Sequence, residues 1–312
     1  MPRPPSQPLP FTAGALLHLP GIGPHTVRRL RAGGVVTLHD ILARHGAELP
    51  GFGDCAPALV QAARRTLAAI EAGDIGHLIA TLHRTDQWRI LADFHHRATY
   101  LDIETTGEVE GPEVTLIVCR HRGRLPVFTA GDNLDACLPL LDEVELLVTF
   151  NGATFDIPQL ERHFHIPLTH IPHLDLRWVC HHAGLRGGLK RIEQRIGLIR
   201  PADILGVDGG AADWIWQCWR TTGDPTQLAR LTRYCAADVV SLHHLTNWLI
   251  AHHTGATCPP FDWHELPAPI AAPAPREQDP GAPLPAPARS PLQTRTARDR
   301  RLRERLRAYR SG

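Results

Sequence analysis

The chain has 312 residues, of which 43% are apolar and 21% charged, and its formal net charge is +1. This length is enough for one large domain or two smaller domains with a hydrophobic core. No apolar run approaches the roughly 18 residues of a membrane span, and the amino terminus lacks the apolar centre of a secretory signal. We therefore expect a cytoplasmic protein that has no membrane partner.

Cysteine and histidine usage does not favour a zinc site. The seven cysteines form no C-x-x-C pair, so we expect scattered, reduced thiols instead of a disulfide framework. The histidines include four adjacent pairs, but adjacent side chains point in different directions and chelate poorly.

Charge is distributed unevenly along the chain. Residues 98–288 carry a net charge of −9, whereas residues 1–97 carry +3 and residues 289–312 carry +7. Basic ends favour a polyanionic partner, and the acidic middle would repel such a partner unless cations intervene.

The amino-terminal third is predicted to be helical after a short arm. Residues 1–12 are proline-rich and are predicted to be disordered, and residues 13–73 show helical periodicity. The periodicity is interrupted by the sequence LPGIGP at 19–24, where Pro24 suits the first turn of a new helix.

The sequence LPGIGPHTVRRL resembles the hairpin of a helix-hairpin-helix module. Gly21 and Gly23 let the backbone approach a phosphate, amides at the helix start can donate to it, and Arg28 and Arg29 add positive charge. The resemblance implies contact with a nucleic-acid backbone, which carries no sequence information. A helical spacer or a protein-docking module with the same hairpin is the alternative.

The middle of the chain is predicted to be an α/β domain. Residues 74–97 are predicted to form a connector, and the domain itself is predicted to span 98–254. Strands are predicted at 100–103, 114–119, 125–128 and 146–150, and helices at 134–141, 156–164, 176–183, 189–196, 212–219 and 226–252. This order indicates a mixed sheet flanked by helices.

The carboxy-terminal region, residues 255–312, is predicted to lack a packed core. Its segment 265–291 is rich in proline and alanine and is predicted to be an extended linker. The nine arginines of 289–312 either bind nucleic acid or form a solvated basic tail.

Two acidic side chains lie at the end of the first strand predicted for the domain. In the sequence YLDIETTG, Asp102 and Glu104 are two residues apart and share one face of the strand. Neighbouring carboxylates repel each other unless a cation or a proton lies between them. Such a triplet is also common on solvated strand faces, so the pair alone does not define a metal site.

Two further motifs add carboxylates. The sequence NGATFD ends at Asp156, which opens a helix, and YCAAD places Tyr234 and Asp238 four apart on one helix face. Taken singly, Asp156 suits a helix N-cap and Tyr234 the rim of a core. Together, the four carboxylates can hold two divalent cations about 4 Å apart, an arrangement that hydrolyses phosphodiesters. Ligands that are all carboxylates favour Mg²⁺ or Mn²⁺ over zinc.

The order D-x-E, N-x3-F-D, Y-x3-D resembles the DEDD exonuclease superfamily in its tyrosine-containing branch, and is most similar to the YprB-type ribonuclease H-like domain. The sequences GLKRIE at 188–193, DW at 213–214 and GD at 223–224 add to the resemblance, which covers roughly 98–250. It implies a ribonuclease H-like fold and 3′-to-5′ exonuclease activity that depends on two divalent metal ions.

The resemblance also implies a role for each catalytic residue. Asp102, Glu104 and Asp238 would bind the catalytic metal. Asp102 would also reach the second metal, and Asp156 would hold that metal through water. Tyr234 would orient the attacking water.

Three other residues are weaker candidates. Asn151 either holds the turn before Asp156 or contacts the strand being cut, and Lys190 either touches a phosphate or lies solvated on its helix. Asp175, in the sequence HLDLR, follows a predicted strand and is expected to cap a helix and not to bind metal.

The favoured interpretation is a metal-dependent 3′-to-5′ exonuclease acting on single-stranded nucleic acid. DNA is favoured over RNA because helix-hairpin-helix modules are usual on DNA enzymes. The alternatives are an RNA 3′-to-5′ exonuclease with the same mechanism, an endonuclease of the same fold, and a catalytically inactive nucleic-acid-binding adaptor. The sequence identifies no protein partner.

Overall fold

The computed structural model describes residues 9–44, 48–49, 53–54, 57–106, 111–205 and 209–269. A helical amino-terminal region is followed by a sheet with helices on both faces. The predicted basic tail and most of the predicted linker lie outside these residues, as does most of the predicted arm.

The helices that the structure describes are α1 Pro24–Ala32, α2 Leu38–Ala43, α3 Pro57–Ala72, α4 Ile75–Thr81, α5 Trp88–Phe94, α6 Cys137–Leu141, α7 Asp156–Phe164, α8 Leu176–His182, α9 Leu189–Ile196, α10 Gly209–Thr222 and α11 Pro225–Thr254. The strands are β1 Glu48–Leu49, β2 Gly53–Asp54, β3 Ala98–Thr105, β4 Val114–Arg120, β5 Val127–Thr129, β6 Leu146–Thr149 and β7 His173–Asp175. None of the described helices is both long and apolar enough to span a membrane.

The amino-terminal region has a hydrophobic core of its own. Leu30 of α1, Leu38 of α2 and Leu59 of α3 are completely or almost completely buried in one cluster, separate from the core beneath the sheet. The start of α2 is stabilised by a capping box, in which Thr37 accepts from the backbone amide of Asp40 and Asp40 accepts from that of Thr37. These residues therefore form a small helical unit, as the periodicity predicts.

The segment 74–97, predicted as a connector, is largely helical and is packed against the sheet. Leu78 of α4 and Ile90 and Leu91 of α5 are fully buried in the same core cluster as Tyr100 of β3. The two helices are only seven residues long, which is too short for a clear helical period.

The five-stranded sheet has the order β5-β4-β3-β6-β7, with β3 at its centre. Strand β3 pairs antiparallel with β4 and parallel with β6, and β6 pairs parallel with β7. This confirms the predicted mixed sheet. Strand β7 confirms the strand predicted before Asp175 in the sequence HLDLR.

Alternate residues of β3 face two different helical layers. Tyr100 faces α11, where its ring lies edge-on to His243 with the ring centroids 5.4 Å apart. Leu101 and Ile103 point to the opposite face, into a second core cluster that includes Leu160 of α7. The sheet thus separates α11 from α7, and both helices can reach its edge.

The chain continues to pack on the sheet domain after α11 ends. Arg120 of β4 donates two hydrogen bonds to Glu265, at 2.7 and 2.9 Å. The indole Nε1 of Trp263 donates to the carbonyl oxygen of Ile199 at 2.9 Å. Leu266 is buried in the same core cluster as Tyr100. Packing on the domain therefore extends to residue 266, beyond the predicted boundary at 254.

Candidate active site

The carboxylates of β3 lie on the face of the sheet that α11 covers. Side chains of alternate residues of β3 share a face, so Asp102 and Glu104 lie on the same face as Ala98 and Tyr100. Both acidic side chains are half-buried. One carboxylate oxygen of each residue and the Cys235 sulfur all lie within 4.8 Å of one another. The D-x-E motif therefore forms a compact acidic pair, as its spacing predicts.

Helix α11 brings two of the predicted site residues to the same place. Tyr234 is 4% exposed and Asp238 is 8% exposed, one helical turn apart. Between them, Ala236 and Ala237 are fully buried, and such small side chains allow the helix to lie close to β3. The Cys235 thiol donates to the Asp102 carboxylate at 3.4 Å.

Asp156, the first residue of α7, is almost completely buried. The turn before it is held by Asp175, which accepts from the backbone amides of Asn151 at 2.7 Å and Ala153 at 3.2 Å. Gly152 packs so closely on Thr149 that an added Cβ would lie 2.1 Å from the threonine Oγ1. Asp175 also caps α8, as expected from the sequence.

Asn151 takes part in this turn, in a left-handed conformation with a φ of 67°. Its side-chain oxygen accepts from the Thr154 hydroxyl at 3.0 Å and from the Arg177 guanidinium. Of its two predicted roles, the structure therefore shows the turn; contact with nucleic acid stays a prediction.

The four predicted carboxylates influence one another. Burial and then the charge of Asp238 raise the pKa of Glu104 to about 8. Burial also raises the pKa of Asp156 to about 7, although hydrogen bonds from backbone amides oppose the shift. The pKa of Asp102 is raised well above its usual value, first by burial and then by the neighbouring carboxylates. Each shift shows that negative charge at this site is costly without a counter-ion.

This arrangement fits a hard divalent cation. Carboxylate oxygens are the donors that Mg²⁺ and Mn²⁺ prefer, and a cation between Asp102 and Glu104 would relieve their mutual repulsion. The Cys235 thiol has its pKa raised by burial and by Asp102, and it donates a hydrogen bond to Asp102. It therefore acts here as a hydrogen-bond donor. The structure thus contains an acidic cluster suited to metal binding.

Asp238 belongs to a buried ion-pair network that the sequence did not predict. Arg200 donates two hydrogen bonds to Glu193 of α9, at 2.8 and 2.5 Å, and a further one to Asp238. Burial also raises the pKa of Asp238, but Arg200 opposes that shift. Glu193 lies in the sequence GLKRIE, which is part of the resemblance to the nuclease family and could have pointed to it. No sequence motif pointed to Arg200.

Lys190 of α9 contacts the phenol that was predicted to orient water. Its ammonium donates to the Tyr234 hydroxyl and lies 4.4 Å from the centre of the ring. Burial, and next the charge of Asp238, raise the pKa of Tyr234, so the phenol stays protonated. Contact between Lys190 and a phosphate remains a prediction.

The residues of the predicted hairpin lie in the amino-terminal region. Gly21 has a φ of 74°, Gly23 is the N-cap of α1, and Arg28 and Arg29 are exposed on that helix. The hairpin itself and its binding of a phosphate both stay predictions.

The sheet domain is similar to a known protein family. The family model RNase_H_2, of the RNase_H superfamily, matches residues 99–250. No curated protein matches the sequence.

Among solved structures, the chain is similar to the family B DNA polymerase from the hyperthermophilic archaeon Pyrobaculum calidifontis, at 17% identity and a TM-score of 0.38. The match covers 50% of this chain and 24% of the polymerase chain. The five-stranded mixed sheet and the family match together indicate that residues 99–250 form a ribonuclease H-like domain.

Proposed function

We propose that the protein is a metal-dependent 3′-to-5′ exonuclease that hydrolyses single-stranded nucleic acid, with DNA favoured over RNA. The observation that carries this proposal is the meeting of two strand carboxylates with Tyr234 and Asp238 on a ribonuclease H-like sheet. The direction of cleavage rests on the resemblance to DEDD exonucleases. The fold and the family match support a nuclease in general.

The carboxylates are proposed to hold two divalent ions, Mg²⁺ or Mn²⁺. Asp102, Glu104 and Asp238 would hold one ion, and Asp102 and Asp156 the other, with Asp156 acting through water. When bound, such ions polarise the scissile phosphate and lower the pKa of the attacking water. Asp238 keeps its orientation because Arg200 holds it.

Tyr234 is proposed to orient the attacking water with its own hydroxyl proton. A phenol has one proton to donate and accepts through its oxygen. The Lys190 ammonium already donates to that oxygen, so the phenol proton is directed to another acceptor. The raised pKa of Tyr234 keeps that proton on the phenol.

The amino-terminal hairpin is proposed to hold the nucleic-acid backbone. Gly23 is the N-cap of α1, where free backbone amides can donate to a phosphate, and Arg28 and Arg29 follow on the exposed surface. This module is the reason for favouring DNA.

The test is a nuclease assay with 5′-labelled single-stranded DNA and RNA of matched sequence, in Mg²⁺, Mn²⁺ or EDTA. We expect a metal-dependent ladder that shortens from the 3′ end, with DNA cut faster. The variant Asp102→Asn should abolish cleavage. The matched control Asp135→Asn removes an exposed carboxylate elsewhere and should cleave like the wild type.

Other outcomes select the alternatives. Faster cleavage of RNA would favour the RNA exonuclease, and cleavage of circular single-stranded DNA would show an endonuclease. Retained binding without cleavage in any metal would contradict the enzyme and favour the adaptor.

A further inference from the structure

A groove of about 520 Å³ lies beside the candidate active site. Phe150 and Asn151 line one part of it, in the turn that leads to Asp156. Leu189 lines another part and is followed in the chain by Lys190, which contacts Tyr234. The groove therefore begins at the segments that carry the candidate catalytic side chains.

The lining of the groove is basic. Arg177 and Arg186 line it together with His181, and the Arg186 Nη1 lies 3.4 Å from the His181 Nδ1. Neither arginine forms an ion pair with any acidic residue that the structure describes. Two guanidinium groups without acidic partners, next to an acidic metal site, are suited to a polyanion that also approaches the metals.

An exposed tryptophan continues this surface. Trp178 follows Arg177 on α8 and is 41% exposed. Its ring centroid lies 6.3 Å from that of His181 and 5.4 Å from the Cζ atom of Arg84. Arg84 also forms no ion pair with a carboxylate among the described residues. An aromatic ring among arginines that lack acidic partners is typical of surfaces that bind single-stranded nucleic acid, because the bases of a single strand can stack on the ring.

We infer that the groove and Trp178 hold the substrate strand upstream of the bond to be cut. Arg177 and Arg186 contact phosphates of the strand, and an unpaired base stacks on Trp178. The inference rests on the proposed function and specifies its substrate, because a base inside a duplex is not free to stack on the ring. The surface thereby selects single strands without reading their sequence.

The test measures binding separately from cleavage. The full chain with Asp102→Asn serves as the parent, and its affinity for a labelled 12-nucleotide single strand and for a duplex is measured by fluorescence anisotropy at several salt concentrations. The double variant Arg177→Gln/Arg186→Gln should lower single-strand affinity at least tenfold. It should also reduce the slope of log affinity against log salt by about 1.4, the value for two phosphate contacts on a single strand.

The matched control removes the same charge at the other end of the sheet. Arg122 and Arg124 lie in the turn that follows the last residue of β4, Arg120. Arg120 pairs with Tyr100, so this turn lies next to the beginning of β3. The carboxylates lie toward the opposite end of that strand. Arg122→Gln/Arg124→Gln should therefore leave the affinity and the salt slope unchanged.

Trp178 is tested by its stacking. Trp178→Ala should weaken single-strand binding about 5- to 150-fold, as expected for one stacked base, without changing the salt slope or the duplex affinity. Trp178→Phe should retain most of the affinity. Arg177→Lys keeps the charge but alters the hydrogen bond to Asn151. It should bind nearly as well as the parent, and a large loss of affinity would instead indicate damage to the turn at Asn151.

The outcome separates this inference from the proposed function. Unchanged single-strand affinity in the arginine and tryptophan variants would overturn the inference even if the wild type proves to be an exonuclease. Loss of affinity in these variants, together with failure of the wild type to cleave, would leave the binding surface in place and overturn the enzyme.

Discussion

Arg200 donates a hydrogen bond to Asp238 from the interior of the protein, where both side chains are shielded from water. Glu193 fixes the other edge of the guanidinium through two hydrogen bonds. Burial disfavours the charge of Arg200, but Asp238 and Glu193 outweigh it and raise the pKa of Arg200 further. One candidate metal ligand is therefore held in place by a cation that belongs to the chain.

Removing this cation should destabilise the protein and weaken metal use. Arg200→Ala leaves Glu193 and Asp238 as buried carboxylates without compensation, which should lower the free energy of unfolding by about 3–5 kcal/mol. It should also raise the Mn²⁺ concentration needed for half-maximal cleavage, because Asp238 loses its orientation. Urea denaturation in EDTA and metal titration of activity measure the two effects.

Arg200→Lys is the informative companion to that variant. It keeps a positive charge but cannot donate to both oxygens of Glu193 and to Asp238 in the same geometry. We expect stability between those of Arg200→Ala and the wild type, with the metal requirement still raised. A metal requirement equal to that of the wild type in both variants would contradict a positioning role.

The stability of the metal-free protein should fall as the pH rises from 6.5 to 8.5. The pKa of Glu104 is raised to about 8, so the native state holds this proton more tightly than the unfolded chain does. The corresponding stabilisation is complete below the ordinary pKa and is lost as the pH passes the raised one. Glu104 alone should contribute a loss of about 2 kcal/mol over this range. Asp156 and Asp102, whose pKa values are also raised, add to it with the same sign, and urea denaturation in EDTA measures the total.

Glu104→Gln should reduce that dependence by the share of Glu104, and saturating Mg²⁺ should reverse it, because metal binding favours the ionised carboxylates. Six of the described histidines must be kept out of the comparison, because burial lowers their pKa values: His121, His173 and His182, and the three named next. Burial lowers the pKa of His18, His243 and His253 to about 4, so they affect stability only below about pH 6.5 and with the opposite sign. A slope that Glu104→Gln leaves unchanged above pH 6.5 would contradict the assignment.

Tyr234→Phe should reduce cleavage by about a hundredfold, the usual effect of removing one hydrogen bond to a reacting group, without a large loss of stability. The ring remains packed, and only the hydroxyl that Lys190 contacts is lost. Tyr100→Phe is the matched control, because it removes another buried tyrosine hydroxyl from the same face of the sheet and should cleave normally. Single-turnover rates distinguish the two, and equal rates would exclude Tyr234 from the reaction.

In the amino-terminal hairpin, an effect on nucleic-acid binding can be measured independently of an effect on folding. An added Cβ at Gly23 meets no atom within 4 Å, so Gly23→Ala should fold normally while obstructing a phosphate at the start of α1. Gly21 has a positive φ, so Gly21→Ala should cost about 1–2 kcal/mol of stability. Affinity for DNA should fall several-fold in Gly23→Ala at unchanged stability. An unchanged affinity would favour the spacer alternative.

Local spacing explains why much of the candidate site was predictable. Asp102 and Glu104 share a face because a strand repeats every two residues, and Tyr234 and Asp238 share one because a helix brings residues four apart together. The same periods predict the strands at the centre of the sheet and the helices around it. Short elements such as α4 and α5 were not predicted, because seven residues do not establish a clear helical period.

The partners of these residues were decided by tertiary structure. Cys235 reaches Asp102 across 133 residues of sequence, and Lys190 reaches Tyr234 across 44. Arg200 shows no pattern in the sequence, yet it connects Glu193 to Asp238 in the interior. The sequence by itself determined which residues share a face of one element. Which elements face each other depends on how the whole chain buries its apolar surface, and only the folded arrangement of α9, α11 and β3 places these charges together.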